Sequence, residues 1–171
     1  MTHQLNFIYN DSDWICPAEY PDLSKATEIA IDLETKDPNI KTKGPGWATF
    51  DGHIVGFAVA ALGQQWYFPI AHDAGGNMDL SITCAWMQDI LKLPATKIFH
   101  NASYDVGWLL VNGFEIRGKI VDTMIAAAII NENRFSFSLN ACAKDYLGEI
   151  KNETFLNEKA KEWGIDPKAD M

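Results

Sequence analysis

The sequence predicts an α/β fold in which a mixed β-sheet is flanked by helices. Short runs rich in Ile, Val and aromatic residues dominate the first half of the chain, and amphipathic stripes at helical spacing dominate the second. Their order supports the same class: three strands, a helix, a strand, a helix, a further short strand and then helices only. With 171 residues, 47% of them hydrophobic, the chain can bury a core as a single domain spanning residues 1–171. Gly and Pro are scattered and no block recurs at a fixed period, which excludes repeat arrays and low-complexity segments.

Taken in order, residues 27–33 (Thr-Glu-Ile-Ala-Ile-Asp-Leu) form an Ile-rich run ending in acids and read as a central strand. Residues 35–52 carry Lys41, Lys43 and Gly44-Pro45-Gly46 with no helical or strand period, so they read as a long loop. Residues 54–60 and 65–70 are β-rich and separated by Ala61-Leu62-Gly63-Gln64, which suggests an antiparallel hairpin. Ile82, Trp86 and Ile90 recur every four positions after Asp79 and Ser81, giving an amphipathic helix that stops before Pro94. Residues 97–100 are a short strand.

Tyr104, Trp108, Leu109 and Val111 mark the next helix, with Asn101 or Ser103 as its N-cap and Gly113 at its end. A short strand is expected near Lys119, and Asp122 caps a helix carrying Ile125, Ala128 and Ile129. Leu139, Cys142, Ala143, Tyr146 and Leu147 form a stripe between Ser138 and Gly148, and residues 154–163 form a last helix before Gly164.

Composition narrows the function classes. Cys16, Cys84 and Cys142 are odd in number, far apart and never spaced as C-x-x-C, against a disulfide framework or structural zinc and in favour of a reducing compartment. No leader pattern or membrane-length apolar stretch is present, which points to the cytoplasm and away from membrane partners. The formal net charge of −9 counts against a packaging protein held to duplex DNA by phosphate neutralisation. It is compatible with an enzyme that grips a few nucleotides at a strand end, where metal ions supply positive charge.

Two acidic constellations could carry chemistry. In Asp32-Leu33-Glu34 the acids stand at i and i+2 of a strand, so both face one way with their Cα atoms roughly 6–7 Å apart. Such a pair could grip two divalent ions about 3.5–4 Å apart, as two-metal phosphodiester hydrolysis requires. Alone, D-x-E is weak and equally describes two solvated acids at the start of a loop. In Asn101-Ala-Ser-Tyr104-Asp105 a strand feeds a helix, and an acid in the first turn meets the positive end of the macrodipole. That arrangement also serves as a plain helix start.

The two together resemble the DEDD-type 3′→5′ exonucleases: Ala30-Ile-Asp32-Leu-Glu34-Thr35 is similar to the first motif and Asn101-x-x-Tyr104-Asp105 to the second. Gly113-Phe-Glu-Ile-Arg-Gly118, then Val121-Asp122-Thr123-Met124, and Leu139 with Ala143 and Tyr146-Leu147-Gly148, resemble the exonuclease domain of bacterial DNA polymerase I. Thr35-Lys36-Asp37-Pro38 and Lys43-Gly44-Pro45-Gly46-Trp47 resemble phage family A polymerases. The similarity runs from about residue 28 to 151.

The resemblance implies a ribonuclease H-like fold and hydrolysis at a single-stranded DNA 3′ end by a two-metal-ion mechanism, with proofreading as its role in a phage-infected bacterial cell. It implies that Asp32 bridges two Mg²⁺ or Mn²⁺ ions, that Glu34 binds the first and orients the attacking water, and that Asp105 serves the second. Thr35, Asn101 and Tyr104 would touch the terminal nucleotide. The physics agrees, since like charges ~4 Å apart repel by about 4 kcal/mol at an effective dielectric near 20 and so favour cations between them.

One departure matters. The family's third motif, Tyr-x-x-x-Asp or His-x-x-x-x-Asp, has no counterpart after Tyr146, and His100 to Asp105 fits the second pattern only by overlapping motif two. The expectation is therefore a fold incomplete at its C-terminal part, a fragment normally followed by a polymerase domain, with weak or no activity alone. Two other readings stay open: trimming of RNA 3′ ends in the manner of ribonuclease D, and a non-catalytic nucleic-acid-binding module. His53 and His72 lack metal-ligand neighbours and read as turn or surface residues. Trp86 and Trp108 read as core, while Trp47 is the better candidate for stacking on a nucleobase, with a mobile loop as its plainer reading. Helix capping suffices to explain Asp122, which is left out of the site.

Overall fold

Alternation along one segment decides the centre of the sheet: Ile29, Ile31 and Leu33 are buried while Glu28, Asp32 and Glu34 are exposed. In the computed structural model, which describes residues 15–73, 75–149 and 162, this segment is β1 (Glu28–Lys36). There follow α1 (Ile40–Lys43), α2 (Gly46–Thr49), β2 (His53–Ala61), β3 (Gln64–Pro69), α3 (Leu80–Lys92) and β4 (Thr96–Phe99). The rest are α4 (Ala102–Val111), β5 (Ile120–Asp122), α5 (Thr123–Ile130) and α6 (Leu139–Leu147). The strands join in the order β3-β2-β1-β4-β5, with β1 antiparallel to β2 and parallel to β4, and β4 parallel to β5. This is the mixed sheet the sequence predicts. The helix expected over residues 154–163 lies outside the described residues, apart from Glu162.

One face of the sheet, carrying Ile29, Ile31, Phe57, Val59, Phe68 and Phe99, packs against Met87, Ile90 and Leu91 of α3 and Trp108 and Leu109 of α4. Trp86 closes the core at one end, its ring centroid 4.5 Å from that of Phe68 and 5.5 Å from that of Tyr20. Of the two tryptophans read as core, Trp108 is buried in it and Trp86, partly buried, packs against it. Lys97 is also fully buried; its ammonium donates to the carbonyls of Leu93, Ala95 and Arg117, and burial lowers its pKa. It ties the turn before β4 to the segment before β5.

Three sequence expectations need correction. β1 continues through Lys36 because a β-bulge between Glu34 and Thr35 lets pairing with β2 resume at Thr35–Ile54 and Lys36–His53. The expected loop then holds two single-turn helices, too short to show a period. Second, the hairpin connection is two residues, Leu62-Gly63, both at positive φ (53° and 74°), the conformation that suits a tight turn between twisted strands. Third, α3 begins as predicted, Asp79 accepting from the Ile82 amide, but it buries Thr83, Met87, Ile90 and Leu91 and leaves Ile82 57% exposed. A polar residue can replace it inside because the Thr83 hydroxyl donates to the Asp79 carbonyl and accepts from Tyr20, each at 2.7 Å. Val111, Ile125 and Ile129 are likewise exposed.

Candidate active site

Pairing between β1 and β4 stops at Ala30–Ile98, so from Ile31 onward that edge of β1 meets the start of α4 instead of a strand. Asp105, in the first turn of α4, closes the gap: its Oδ1 accepts the Leu33 amide at 3.0 Å. Leu33 lies between Asp32 and Glu34, whose side chains occupy the sheet face turned away from the core. Asp105 is only 3% exposed. Burial, then the charge of Asp32 and to a lesser degree that of Glu34, pushes its carboxyl up to about 7 against the pull of backbone hydrogen bonds.

The structure therefore sets Asp32, Glu34 and Asp105 at one end of one strand. Among the described residues no three His, Cys, Asp or Glu side chains are already gathered as a metal-holding group. These three carboxylates would offer a cation oxygen only, which suits Mg²⁺ or Mn²⁺ and not a thiolate or imidazole zinc site. An open cavity of about 890 Å³ runs along the same sheet face, lined by Asp32 with Ala30, Ala58, Tyr67, Ile98 and His100.

The expected nucleotide contacts fall into two groups. Thr35 and Tyr104 are joined, Oγ1 to hydroxyl at 2.8 Å, and the Tyr104 hydroxyl donates to Asp37 Oδ2 at 2.9 Å. Burial pushes the Tyr104 phenol up. Asn101 adopts the left-handed conformation, φ 69°, and its side chain caps nothing; it accepts from Ser103 Oγ at 3.2 Å. Neither predicted residue supplies the cap.

That task belongs to Asp122, which does far more than cap its own helix. Its carboxylate accepts from Met124 and Ile125 of α5 and, across the sheet edge, from the amides of Asn101 and Ala102 at 3.1 and 2.8 Å. One side chain thus seats the helix that carries Asn101, Tyr104 and Asp105. Sequence spacing reveals the local cap, whereas the second depends on β4 and β5 lying side by side.

Tyr67 is another neighbour that spacing does not show. Gly56 stands opposite Glu34, and a Cβ there would lie 2.0 Å from the Tyr67 hydroxyl, so the missing side chain makes room for the phenol. Burial and then the charge of Glu34 raise the Tyr67 pKa. Its hydroxyl is hydrogen-bonded to His72 Nε2, and burial lowers the His72 pKa. His72 is thus half-buried beside the site, whereas His53 is exposed.

Trp47 is not a free stacking platform. Its indole packs against the core on Gly107 of α4, where a Cβ would meet ring atoms at 2.5–2.7 Å. Gly107→Ala is expected to push the ring out and cost about 1–3 kcal/mol as an overpacked contact. A lower melting temperature together with a red-shifted tryptophan emission would show it.

The family model described as 3′–5′ exonuclease, of the family A DNA polymerases, matches residues 20–171. The chain belongs to this exonuclease family. It is 34% identical to a DNA-directed DNA polymerase of Pseudomonas phage M6 over 96% of its own length, and spans about a quarter (26%) of that polymerase. Its fold resembles that of Brucella melitensis NrnC with bound Mg²⁺, with a TM-score of 0.56 and 15% identity over 88% of this chain and 82% of that one. It likewise resembles Escherichia coli RNase D, an exoribonuclease involved in structured RNA processing, with a TM-score of 0.53 and 18% identity over 77% of this chain and 31% of that one. These likenesses fit the ribonuclease H-like arrangement of a mixed five-stranded sheet and flanking helices. Among the described residues of this exonuclease-family chain, no helix is long and apolar enough to cross a membrane.

Proposed function

We propose that this exonuclease-family chain hydrolyses the last phosphodiester of a single-stranded DNA 3′ end, as the proofreading-type part of a phage polymerase in an infected bacterial cell. The observation that carries this reading is the buried Asp105 carboxyl on the Leu33 amide, between Asp32 and Glu34. In this reading Asp32, Glu34 and Asp105 would hold two divalent cations, Mg²⁺ or Mn²⁺. When bound, the cations activate water and stabilise the leaving oxygen. Glu34 would orient the attacking water, Asp105 would complete the carboxylate set, and Thr35, Asn101 and Tyr104 would seat the terminal nucleotide. The oxygen-only donor set supports these cations.

The test is release of nucleotides from a 3′-labelled single strand with Mn²⁺ or Mg²⁺. Release is expected to be weak, because the sequence lacks the family's third motif, and Asp32→Ala is expected to abolish it. Equal release by Asp32→Ala would sink the reading. Matched RNA and DNA strands separate the alternative suggested by the likeness to RNase D. A protein that binds the strand but never cuts it, with or without metal, would favour a non-catalytic binding module. A polymerase domain following this one is the partner that fits the length of the phage relative.

A further inference from the structure

Three polar groups beside the acids form a chain whose direction is set by elementary donor counting. A carboxylate only accepts and a phenol has one hydrogen. Tyr104 spends that hydrogen on Asp37 Oδ2 at 2.9 Å. The 2.8 Å contact between Tyr104 and Thr35 must then be a donation from Thr35 to the phenol oxygen. The threonine hydrogen is consumed, and what Thr35 Oγ1 has left to offer a ligand is lone pairs. Asp37 is 9% exposed and is itself fixed from the other side, where the same oxygen accepts the Gly46 amide at 2.8 Å.

We propose that Asp37 is a positioning residue that polarises the Thr35–Tyr104 pair, making Thr35 Oγ1 an acceptor that favours a terminal 3′-hydroxyl, a donor, over a terminal 3′-phosphate, an acceptor. The proposal rests on the reading that this end of β1 receives a nucleic-acid 3′ end. It differs from that reading in needing no cleavage for its test. Without Asp37 the phenol hydrogen turns to Thr35, the threonine hydrogen turns outward, and the contribution of Thr35 to the preference disappears. Asp37→Asn should preserve it. Both hydrogen bonds end on one oxygen, which an amide oxygen can replace. The amide nitrogen then takes the place of Oδ1, a buried atom without a hydrogen-bond partner.

The experiment compares fluorescence anisotropy of one short single-stranded DNA bearing either a 3′-hydroxyl or a 3′-phosphate, in EDTA, for wild type, Asp37→Ala, Asp37→Asn and Tyr104→Phe. Wild type and Asp37→Asn are expected to favour the hydroxyl end by roughly five- to tenfold, the worth of one hydrogen bond. Asp37→Ala and Tyr104→Phe are expected to lose that factor and keep only the discrimination that the phosphate's charge beside Asp32 and Glu34 supplies. Circular dichroism melts identify any variant that fails to fold, and the Asn and Phe variants keep the comparison available if the Ala variant does not fold. A wild type that binds neither end, or both equally, overturns the proposal. So does an Asp37→Ala that keeps the wild-type ratio, or an Asp37→Asn that loses it. Failure of the nuclease reading shows separately, as metal-dependent release indifferent to Asp32→Ala.

Discussion

Asp105→Asn is expected to make the metal-free protein more heat-resistant at pH 8 while removing divalent-dependent nucleotide release. In wild type the buried carboxyl has its pKa raised from an ordinary 3.8 to about 7 by burial and by Asp32. The folded state therefore holds this proton more tightly than the unfolded state does. Its stabilising contribution is complete below about 3.8 and fades as pH rises toward 7; above 7 the folded chain carries the whole cost of an ionised buried acid. That cost is on the order of 4 kcal/mol at most, and for a chain of this size each kcal/mol moves the midpoint by roughly 2–4 °C. An amide keeps an acceptor for the Leu33 amide and has no charge to bury. Melts in EDTA at pH 4 and pH 8 should show the variant roughly 5–10 °C above wild type at the higher pH, with the gap closing at the lower. A variant that melts below wild type at pH 8 would show that the carboxylate stabilises the bare fold.

The opposite sign is expected at Asp122. Burial alone would raise its pKa, but the amides of Ala102, Asn101, Ile125 and Met124 outweigh burial and hold it low. The stability it contributes is present above the ordinary carboxylate pKa near 3.8 and is lost as pH falls through the lower folded value. Asp122→Ala leaves two helix starts without an acceptor. At about 1 kcal/mol for a typical cap, more for charge-assisted bonds, it should cost about 2–4 kcal/mol. Release should fall with it, because α4 carries Asn101, Tyr104 and Asp105. Urea unfolding at pH 7 measures the first effect, and Asp122→Asn, with one acceptor oxygen left, should fall between. An Ala variant within 0.5 kcal/mol of wild type (an ordinary surface value) would remove Asp122 from this role.

What the sequence made legible was periodicity and local chemistry. The β2–β3 hairpin, the start of α3 after Asp79, the bounds of α6 at Ser138 and Gly148 and the D-x-E acids on one face of β1 were all read from spacing. What spacing could not reveal were contacts closed by topology. Asp37 lies 67 residues from Tyr104, and nothing local marks it as a partner. Gly56 looks like an interruption in a strand until Tyr67 is seen to occupy its space. The single-turn α1 and α2 are too short to show any period, and Trp47 looks exposed only while residues 35–52 are drawn as a free loop. Ile82 was misplaced because neighbouring helix faces both offer apolar residues, and Thr83 satisfies its hydroxyl locally.

The amide of Leu33 hangs on a carboxylate where a longer β4 would otherwise hold it. On the proposed function, the group that completes the middle of the sheet is also one that would hold a cation, so its proton and its company would change together. Hydrogen exchange at the Leu33 amide would then report on the Asp105 carboxyl directly, with no substrate present.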